Sequence, residues 1–501
     1  MTYTRRIIRG DNVYLYRVTS YRDHDTGKVR QKAEYLGKEI IRDNGRIVQK
    51  PRNRILVRRI LDSAPYILYR HAEDFGIQDD FISALEGLTN MREAARRTVM
   101  LAASSVTRTT GSMELHTGIR AGTVKEDRDL ADFIGSLDPD IISILERSIS
   151  GRIVKAYGSH GIVYDLSAVK YYGSSNDLAR YGHYYDTNGG NREINFVLAV
   201  TRKGGIPVHY RIMPGSIVSV GTVRSFAMEL RDLGIRTAMI VMDRGFYSSR
   251  NITDLKDYSL IGAIPASLKI YRDLLAKSKN IENSRNYIQC REDTVFYSEH
   301  SIDSIRYIVY FSAKVRADRI QAFYSKLSDA ERVLKDLQSR KFDSEQDMIR
   351  TAVSATGNMS RYFEIHPSNG SFTYRLRHNA IQARTNRMGF FILFTNTMIG
   401  ADKILRIYRE KDVVEKAFMH SKAAMEPLYA RTETGTRAKV FLSILGYAMI
   451  RMIANRCDLS YAETVNIISG IREVVYSNGS HAPVELTKEQ KYVLEKLSIE
   501  L

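Results

Sequence analysis

Three acidic side chains stand where a carboxylate needs a compensating charge. Asp165 ends the short apolar run 161–165, and Asp243 ends a second apolar run, 238–243. A carboxylate at the end of a buried strand loses hydration and requires a partner. Glu415 follows later, on a segment with helical spacing. Two strand-end aspartates and a helical glutamate are a ligand set for divalent metal ions that act on phosphodiester bonds.

The segment around Glu415 carries further groups suited to a phosphate. At about 100° per residue, four side chains fall within a wedge of roughly 60° beside the apolar side of the predicted helix: Tyr408, Lys411, Glu415 and Lys422. An ordinary amphipathic helix with an ion pair between Lys411 and Glu415 explains part of this spacing, at about 0.2–0.5 kcal/mol. The tyrosine and the two lysines favour a phosphate-contact site, to which Arg244 beside Asp243 adds a further cation.

The elements that must position these groups form an α/β series. From residue 161 onward the hydrophobic pattern predicts three strands, a helix, a strand, a helix and a strand. Gly204 and Gly205 supply the turn between the second and third strands. Helical spacing returns at 401–422 and 436–455. The predicted elements of the series are strands 161–166, 194–202 and 206–213, helix 221–233, strand 237–242, helix 248–257 and strand 259–265.

The flanking regions have different patterns. Residues 3–36 alternate as strands and carry Arg and Tyr, which predicts a small β-meander able to contact a phosphate backbone. Residues 56–150 have helical spacing, and residues 269–399 mix helical and β patterns. The predicted domains are a basic DNA-binding β-meander (1–55), a helical DNA-binding segment (56–150), the two parts of a core (151–268 and 400–456), an insertion between them (269–399) and a C-terminal helical tail (457–501).

The charge of the chain favours a polyanionic partner. The 501 residues have a formal net charge of +18. Residues 1–60 hold 16 Lys and Arg against 6 Asp and Glu, a net charge of +10. This balance favours nucleic acid. Two distant cysteines argue against a disulfide framework and a zinc site. No apolar signal core or Gly-x4-Gly-Lys-Ser/Thr loop is present, so we expect a cytoplasmic protein that is not an NTPase motor.

These residues resemble the DDE transposases of prokaryotic insertion sequences, in the group with the Tyr-x2-Arg-x3-Glu-x6-Lys (YREK) signature. Tyr408, Lys411, Glu415 and Lys422 meet that spacing, with lysine at the arginine position. Tyr-Asp-Leu-Ser at 164–167 is similar to the family's first aspartate motif. Val-Met-Asp-Arg-Gly-Phe at 241–246 is similar to its second. The segment 204–215 also resembles the hairpin between them.

The resemblance implies a ribonuclease-H-like core interrupted by a mixed, largely β insertion. It implies DNA strand cleavage at the element ends and strand transfer to target DNA. Asp165, Asp243 and Glu415 would be the catalytic residues and would bind two Mg²⁺ or Mn²⁺ ions. Tyr408, Lys411, Lys422 and Arg244 would contact the DNA phosphate. The implied partners are the terminal inverted repeats, the target DNA and a second copy of the chain in a synaptic complex at the nucleoid, without a membrane.

Two alternatives stay open at this point. A ribonuclease-H-like nuclease or resolvase would cleave DNA without joining it. A catalytically inactive relative would bind DNA only, although an intact acidic triad argues against this, since DNA binding needs no metal site. Asp177 and Asp186, which follow the first core strand, are weaker candidates for assisting the metal ions.

Overall fold

The structure is a computed structural model that describes most of the chain. Two compact units are present: one comprises residues 1–61, 472–486 and 501, and the other comprises 62–471 and 487–500. The described residues are 2–10, 12–22, 28–42, 45–49, 56–86, 91–118, 139–157, 161–173, 176–181, 192–215, 223–235, 239–278, 280–282, 285–290, 293–342, 344–368, 370–426, 428, 430 and 432–501. The predicted metal candidate Asp186 lies outside them.

The first unit is built from two small sheets. Its N-terminal part is an antiparallel four-stranded sheet in chain order, as the alternation predicts. A three-stranded sheet joins β5 to two strands from the C-terminal region, in the order β18-β17-β5. The segment 56–150 therefore does not begin as a helix, and the tail 457–501 is not purely helical. The strands are β1 Thr2–Arg9, β2 Asn12–Arg22, β3 Val29–Arg42, β4 Gly45–Gln49, β5 Val57–Asp62, β17 Arg472–Tyr476 and β18 His481–Pro483.

The second unit is organised around a mixed nine-stranded sheet. Its strand order is β11-β12-β13-β16-β10-β9-β6-β7-β8. Strands β6, β9 and β10 are mutually parallel neighbours, while β7 and β8 form an antiparallel meander beside β6. The protein is thus of the α/β class. The strands are β6 Ile162–Lys170, β7 Glu193–Thr201, β8 Pro207–Pro214, β9 Met239–Met242, β10 Ser259–Ala263, β11 Tyr287–Cys290, β12 Asp293–Ile302, β13 Ile305–Ser312 and β16 Phe390–Thr395.

Helices connect the parallel strands and cover the sheet. The predicted helices between β8, β9 and β10 are present as α6 and α7. In chain order the helices are α1 Ala64–Asp74, α2 Ile77–Ala84, α3 Met91–Thr107, α4 Met113–Thr117, α5 Pro139–Tyr157, α6 Val223–Asp232, α7 Ser249–Asp254, α8 Lys269–Lys277, α9 Ala313–Gln338, α10 Glu345–Thr356, α11 His378–Thr385, α12 Ala401–Arg409, α13 Asp412–Met425, α14 Glu433–Arg456, α15 Tyr461–Ser469 and α16 Lys488–Leu497.

Helix α14 is the central helix of the second unit. Among the described residues it alone is long and apolar enough to cross a membrane, but 83% of its most apolar window is buried in the structure, as in a core helix. Two of its side chains hold the turn between β7 and β8. The Arg451 Nε donates to the Gly204 carbonyl at 2.6 Å, and the Tyr447 hydroxyl donates to the Gly205 carbonyl at 3.1 Å. These hydrogen bonds attach the turn, which was predicted at these glycines, to α14.

The segment 269–399 is mixed, as predicted, but it is not largely β. It contains the 26-residue helix α9, and four of its strands extend the central sheet. Strand β16 pairs with β13 on one side and with β10 on the other. The remaining hairpin, β14 Phe363–Ser368 and β15 Ser371–Leu376, packs with α9, α10 and α11 around a separate apolar core that includes Phe323, Leu334 and Phe372. The segment is thus part sheet extension and part helical subdomain.

Gly262 gives a test of how β16 seats against β10. The two strands pair at Gly262 and Phe394, and a Cβ at Gly262 would lie 2.4 Å from the Phe394 ring. We expect Gly262→Ala to destabilise the protein by about 1–3 kcal/mol, because ring and strand must both shift. Gly151→Ala is the control, since Gly151 lies in α5 with open space around it and alanine stabilises a helix by up to about 1 kcal/mol. Urea unfolding measures both changes, and equal effects would contradict this packing.

Candidate active site

Asp165 lies in β6, and Asp243 directly follows β9, the parallel neighbour of β6. The pairing of β6 with β9 runs through Ile162–Ile240, Val163–Val241 and Tyr164–Met242. The next position in this register pairs Asp165 with Asp243. In-register residues of parallel strands point to the same face, and neighbouring strands are about 4.8 Å apart. The two carboxylates therefore lie side by side where β9 ends.

Asp165 does not end its strand, in contrast to the prediction from the run 161–165. Strand β6 continues to Lys170 because its antiparallel partner β7 pairs with it along its whole length, opposing Leu198 to Asp165. The parallel partner β9 stops at Met242 instead. Asp165 therefore lies in the middle of β6, one residue beyond the position at which the neighbouring strand β9 ends. Its side chain also accepts a hydrogen bond from the Leu166 N–H at 2.8 Å.

Asp243 begins a tight turn after β9. It precedes a short 3₁₀ helix at Arg244–Phe246 and has an extended backbone. Phe246 is buried and contacts the Tyr164 ring edge-on, with ring centroids 4.9 Å apart. This aromatic contact anchors the turn. Arg244 has an exposed side chain directly beside the catalytic candidate Asp243.

The glutamate segment is two helices rather than the single helix predicted over 401–422. Helix α12 ends at Arg409, and α13 begins at Asp412. The Lys411 N–H bonds to the Tyr408 carbonyl at 3.1 Å and the Val414 N–H bonds to the Lys411 carbonyl at 3.0 Å, so the chain tightens to a three-residue spacing at the junction. Lys411 occupies this junction.

The junction brings Tyr408 and Lys411 into contact with Asp243, and it brings Lys411 into contact with Glu415. The Tyr408 hydroxyl donates to Asp243 Oδ1 at 3.0 Å. The Lys411 Nζ lies 3.2 Å from the same Oδ1 and 3.1 Å from Glu415 Oε1. It also lies 5.6 Å from the centre of the Tyr408 ring. Glu415 is thus joined to Asp243 through one ammonium group.

Helix α13 is held over the sheet face that carries Asp165. Its buried side includes Val414, Ala417 and Phe418. The Phe418 ring meets Phe196 of β7 edge-on, with centroids 4.9 Å apart. Phe196 opposes Ser167, two residues beyond Asp165 on β6 and therefore on the same face. The apolar packing of α13 against the sheet therefore determines the position of its polar side chains, including Glu415.

The charges of the cluster are strongly coupled. Burial raises the pKa of Asp165 to about 6, and the neighbouring Asp243 and Glu415 carboxylates act in the same direction. Burial also acts to raise the pKa of Asp243, but the Lys411 ammonium and the hydrogen bonds from Arg244 and Tyr408 outweigh it and hold that pKa below its usual range. Of the two aspartates, Asp165 therefore carries the larger cost of ionisation in the metal-free protein.

The two cationic residues respond to this environment differently. Burial acts to lower the pKa of Lys411, but Asp243 and Glu415 outweigh it and raise that pKa. Burial lowers the pKa of Lys422, against the opposing influence of Glu426, Glu193 and Asp165. Lys422 is thus within electrostatic range of Asp165. Burial and the Asp243 carboxylate raise the pKa of Tyr408, which stays a neutral hydrogen-bond donor.

Glu193 is a feature that reasoning from the sequence missed. It begins β7 and is only 2% exposed, and its charge acts on Lys422. The feature of the sequence that could have identified it is a carboxylate directly before the mostly apolar run 194–200. Asp177, by contrast, has a side chain that is 93% exposed and pairs with Arg180, away from any described contact with the three acids. Asp177 therefore behaves as a surface residue.

The donor set at the cluster suits a hard divalent cation. The groups are carboxylate oxygens without sulfur or imidazole, which is the chemistry that Mg²⁺ and Mn²⁺ select. Oxygen atoms of Asp243 and Glu415 already converge on one cation, the Lys411 ammonium, at 3.1–3.2 Å. Asp165 stands within electrostatic range of both acids. The donor chemistry therefore fits a divalent metal ion, while the carboxylate oxygens of the three acids do not all lie within 4.8 Å of one another.

Comparison with protein-family models and with curated proteins finds no match. Among solved structures, the chain is similar to the cryo-EM structure of a piggyBac transposase synaptic complex with hairpin DNA. The two share 8% identity with a TM-score of 0.37, over 86% of this chain and 79% of the other. At these values the similarity assigns neither fold family nor activity, and the functional argument rests on the residues described above.

Proposed function

We propose that the protein is a DNA transposase of an insertion sequence, of the DDE type with the YREK signature. One observation carries this proposal: Asp243 and Glu415 converge on one cation position, beside Asp165 on the adjacent parallel strand. Three acids gathered at one place require compensating cations, which suits a metal-dependent site that acts on a phosphodiester. The net charge of +18 makes DNA the fitting substrate.

The strand order supports a ribonuclease-H-like core for this function. Three antiparallel strands in sequence, β6, β7 and β8, are followed by β9 and β10, which add parallel to β6 on its other side. Connections through α6 and α7 lead to the two added strands. Asp243 directly follows the carboxyl end of β9, the edge at which open α/β sheets place their ligands.

Asp165, Asp243 and Glu415 would hold the divalent ions. Such ions, when bound, activate a water or a 3′-hydroxyl and stabilise the leaving oxygen of the phosphodiester. The chain's own residues orient the substrate. Tyr408 fixes Asp243 by its hydroxyl hydrogen bond, and Lys411, Lys422 and Arg244 offer positive charge for the phosphate beside the acids.

The partners of the proposed transposase are the terminal inverted repeats of its element, the target DNA and a second copy of the chain. The proposal includes a cytoplasmic location at the nucleoid. The N-terminal sheet is the proposed DNA-contacting element. Arg5, Tyr16 and Tyr35 are paired in one row across β1, β2 and β3, with the two tyrosine rings 5.2 Å apart. Arginine beside aromatic rings suits contact with a nucleic acid.

Arg5 and Arg6 offer a matched test of this surface. They are adjacent in β1, but Arg6 points to the other face and pairs with Glu39. We expect Arg5→Gln to weaken DNA binding and to reduce the slope of log affinity against log salt by about 0.9, because one phosphate contact is lost. Arg6→Gln should leave the slope nearly unchanged. Fluorescence anisotropy over a salt series measures both, and equal slopes would contradict the assignment of this face.

Cleavage and joining of DNA are the test of the proposed function. The substrate is a labelled duplex that carries the element's own end, incubated with Mg²⁺ and a target plasmid. A transposase cuts at the end and joins it to the plasmid. Cleavage without joining would instead support a nuclease or resolvase. DNA binding without metal-dependent cleavage would support an inactive relative.

A further inference from the structure

Lys411 occupies the position between two acids of the proposed metal site. Its Nζ lies 3.2 Å from Asp243 Oδ1 and 3.1 Å from Glu415 Oε1. The Tyr408 hydroxyl donates to the same Asp243 oxygen at 3.0 Å. The Lys411 side chain is only 21% exposed, so the ion pairs are partly shielded from water. Among the described residues, no other lysine or arginine forms an ion pair with either acid.

The side chain has the freedom to leave this position. A lysine ammonium is a compact point charge on a flexible four-carbon stem, whereas arginine would present a rigid planar fork. Lys411 lies at the junction between α12 and α13 rather than within a helix turn. In this same position its Nζ also lies 5.6 Å from the centre of the Tyr408 ring, a contact that favours the charge.

We propose that Lys411 is an internal counter-cation that competes with a divalent metal ion for Asp243 and Glu415, and that a DNA phosphate draws it away. This inference rests on the proposed function, since it concerns the metal site of the same enzyme. An ammonium held 3.1–3.2 Å from both oxygens occupies the space between the two acids and repels a divalent ion that would bind there. Metal binding is therefore weak in the free protein and strengthens when DNA offers Lys411 a new partner.

Linkage makes this competition reciprocal. If DNA raises the affinity for the metal ion by some factor, the metal ion raises the affinity for DNA by the same factor. The consequence is a cleavage site that binds its metal ions when DNA is bound. In the absence of DNA, Lys411 keeps the metal ions out of the site. An ordinary i,i+4 ion pair between Lys411 and Glu415 would not couple metal to DNA in this way.

The test measures Mn²⁺ binding by calorimetry, without any activity readout. We expect Lys411→Met to bind Mn²⁺ at least about tenfold more tightly than wild type in the absence of DNA, because a repelling cation is removed. Lys416→Met is the matched control. Lys416 belongs to the same helix and pairs with the exposed Asp412 at 2.6 Å, so its loss removes equal charge and should change Mn²⁺ affinity less than twofold.

A second arm adds DNA and compares the wild type with Lys411→Met. A duplex that carries the element end should raise the Mn²⁺ affinity of wild type about tenfold or more, and should raise that of Lys411→Met much less. Lys411→Gln serves if the methionine variant does not fold. Lys411 variants that bind Mn²⁺ no more tightly than Lys416→Met would overturn this inference while leaving the proposed function intact. An absence of Mn²⁺ binding in every variant, with and without DNA, would overturn both.

Discussion

Asp243→Asn is expected to reduce metal-dependent DNA cleavage by a factor on the order of 10³ or more, with DNA affinity changed by less than about threefold. Asparagine keeps the size of the side chain and its hydrogen bond from Tyr408. It loses the negative charge that holds Lys411 and would hold the metal ion. The measurement is single-turnover cleavage of an end-labelled duplex, with binding measured separately by anisotropy.

Asp165→Asn and Glu415→Gln should show the same separation of cleavage from binding. Glu410→Gln is the control, because Glu410 lies beside Lys411 in sequence but forms its ion pair with Arg202, outside the cluster. Retained cleavage in Glu415→Gln would contradict a metal role for that residue and reduce it to an ion-pair partner of Lys411. Loss of cleavage in Glu410→Gln would show that the assay reports general damage to the helix junction.

The sequence was sufficient to predict the main elements around the site. Local patterns predict strands and helices well when each element has its own periodicity, and the order of elements from β6 to β10 follows that rule. The spacing of Tyr408, Lys411 and Glu415 was also informative, since Tyr408 and Lys411 contact Asp243 and Lys411 also contacts Glu415. The i,i+4 spacing of Lys411 and Glu415 predicts their contact from sequence separation alone, although Tyr408 and Glu415 lie on two different helices.

The predictions from the sequence that were wrong concern features that depend on contacts between distant segments. Strand β6 runs past Asp165 because β7 continues beside it, and no local signal encodes that partner. Strand β16 reads like an isolated β segment within an insertion, yet it pairs on both edges within the central sheet. Residues 409–412, at the break between α12 and α13, are Arg-Glu-Lys-Asp. No proline or glycine therefore marks the break in the sequence. Tertiary packing rather than helix propensity determines it.

Burial of Asp165 predicts an effect on stability that is independent of catalysis. Its pKa is raised from 3.8 to about 6, so the folded protein binds a proton more tightly than the unfolded chain. The stability from this proton is fully present below about pH 4 and is lost as the pH rises through about 6. We therefore expect Asp165→Asn to stabilise the metal-free protein by about 2–3 kcal/mol at pH 7.5.

Urea unfolding in EDTA at pH 7.5 and pH 4 measures this difference, which should nearly vanish at the lower pH. Asp177→Asn is the control, because that exposed side chain should change stability little at either pH. Addition of Mg²⁺ should then stabilise the wild type and leave Asp165→Asn unchanged, because only a protein that binds the ion gains stability from it. A variant less stable than wild type at pH 7.5 in EDTA would mean that neighbouring cations compensate the Asp165 charge, and Asp165 would then carry no ionisation cost for a metal ion to relieve.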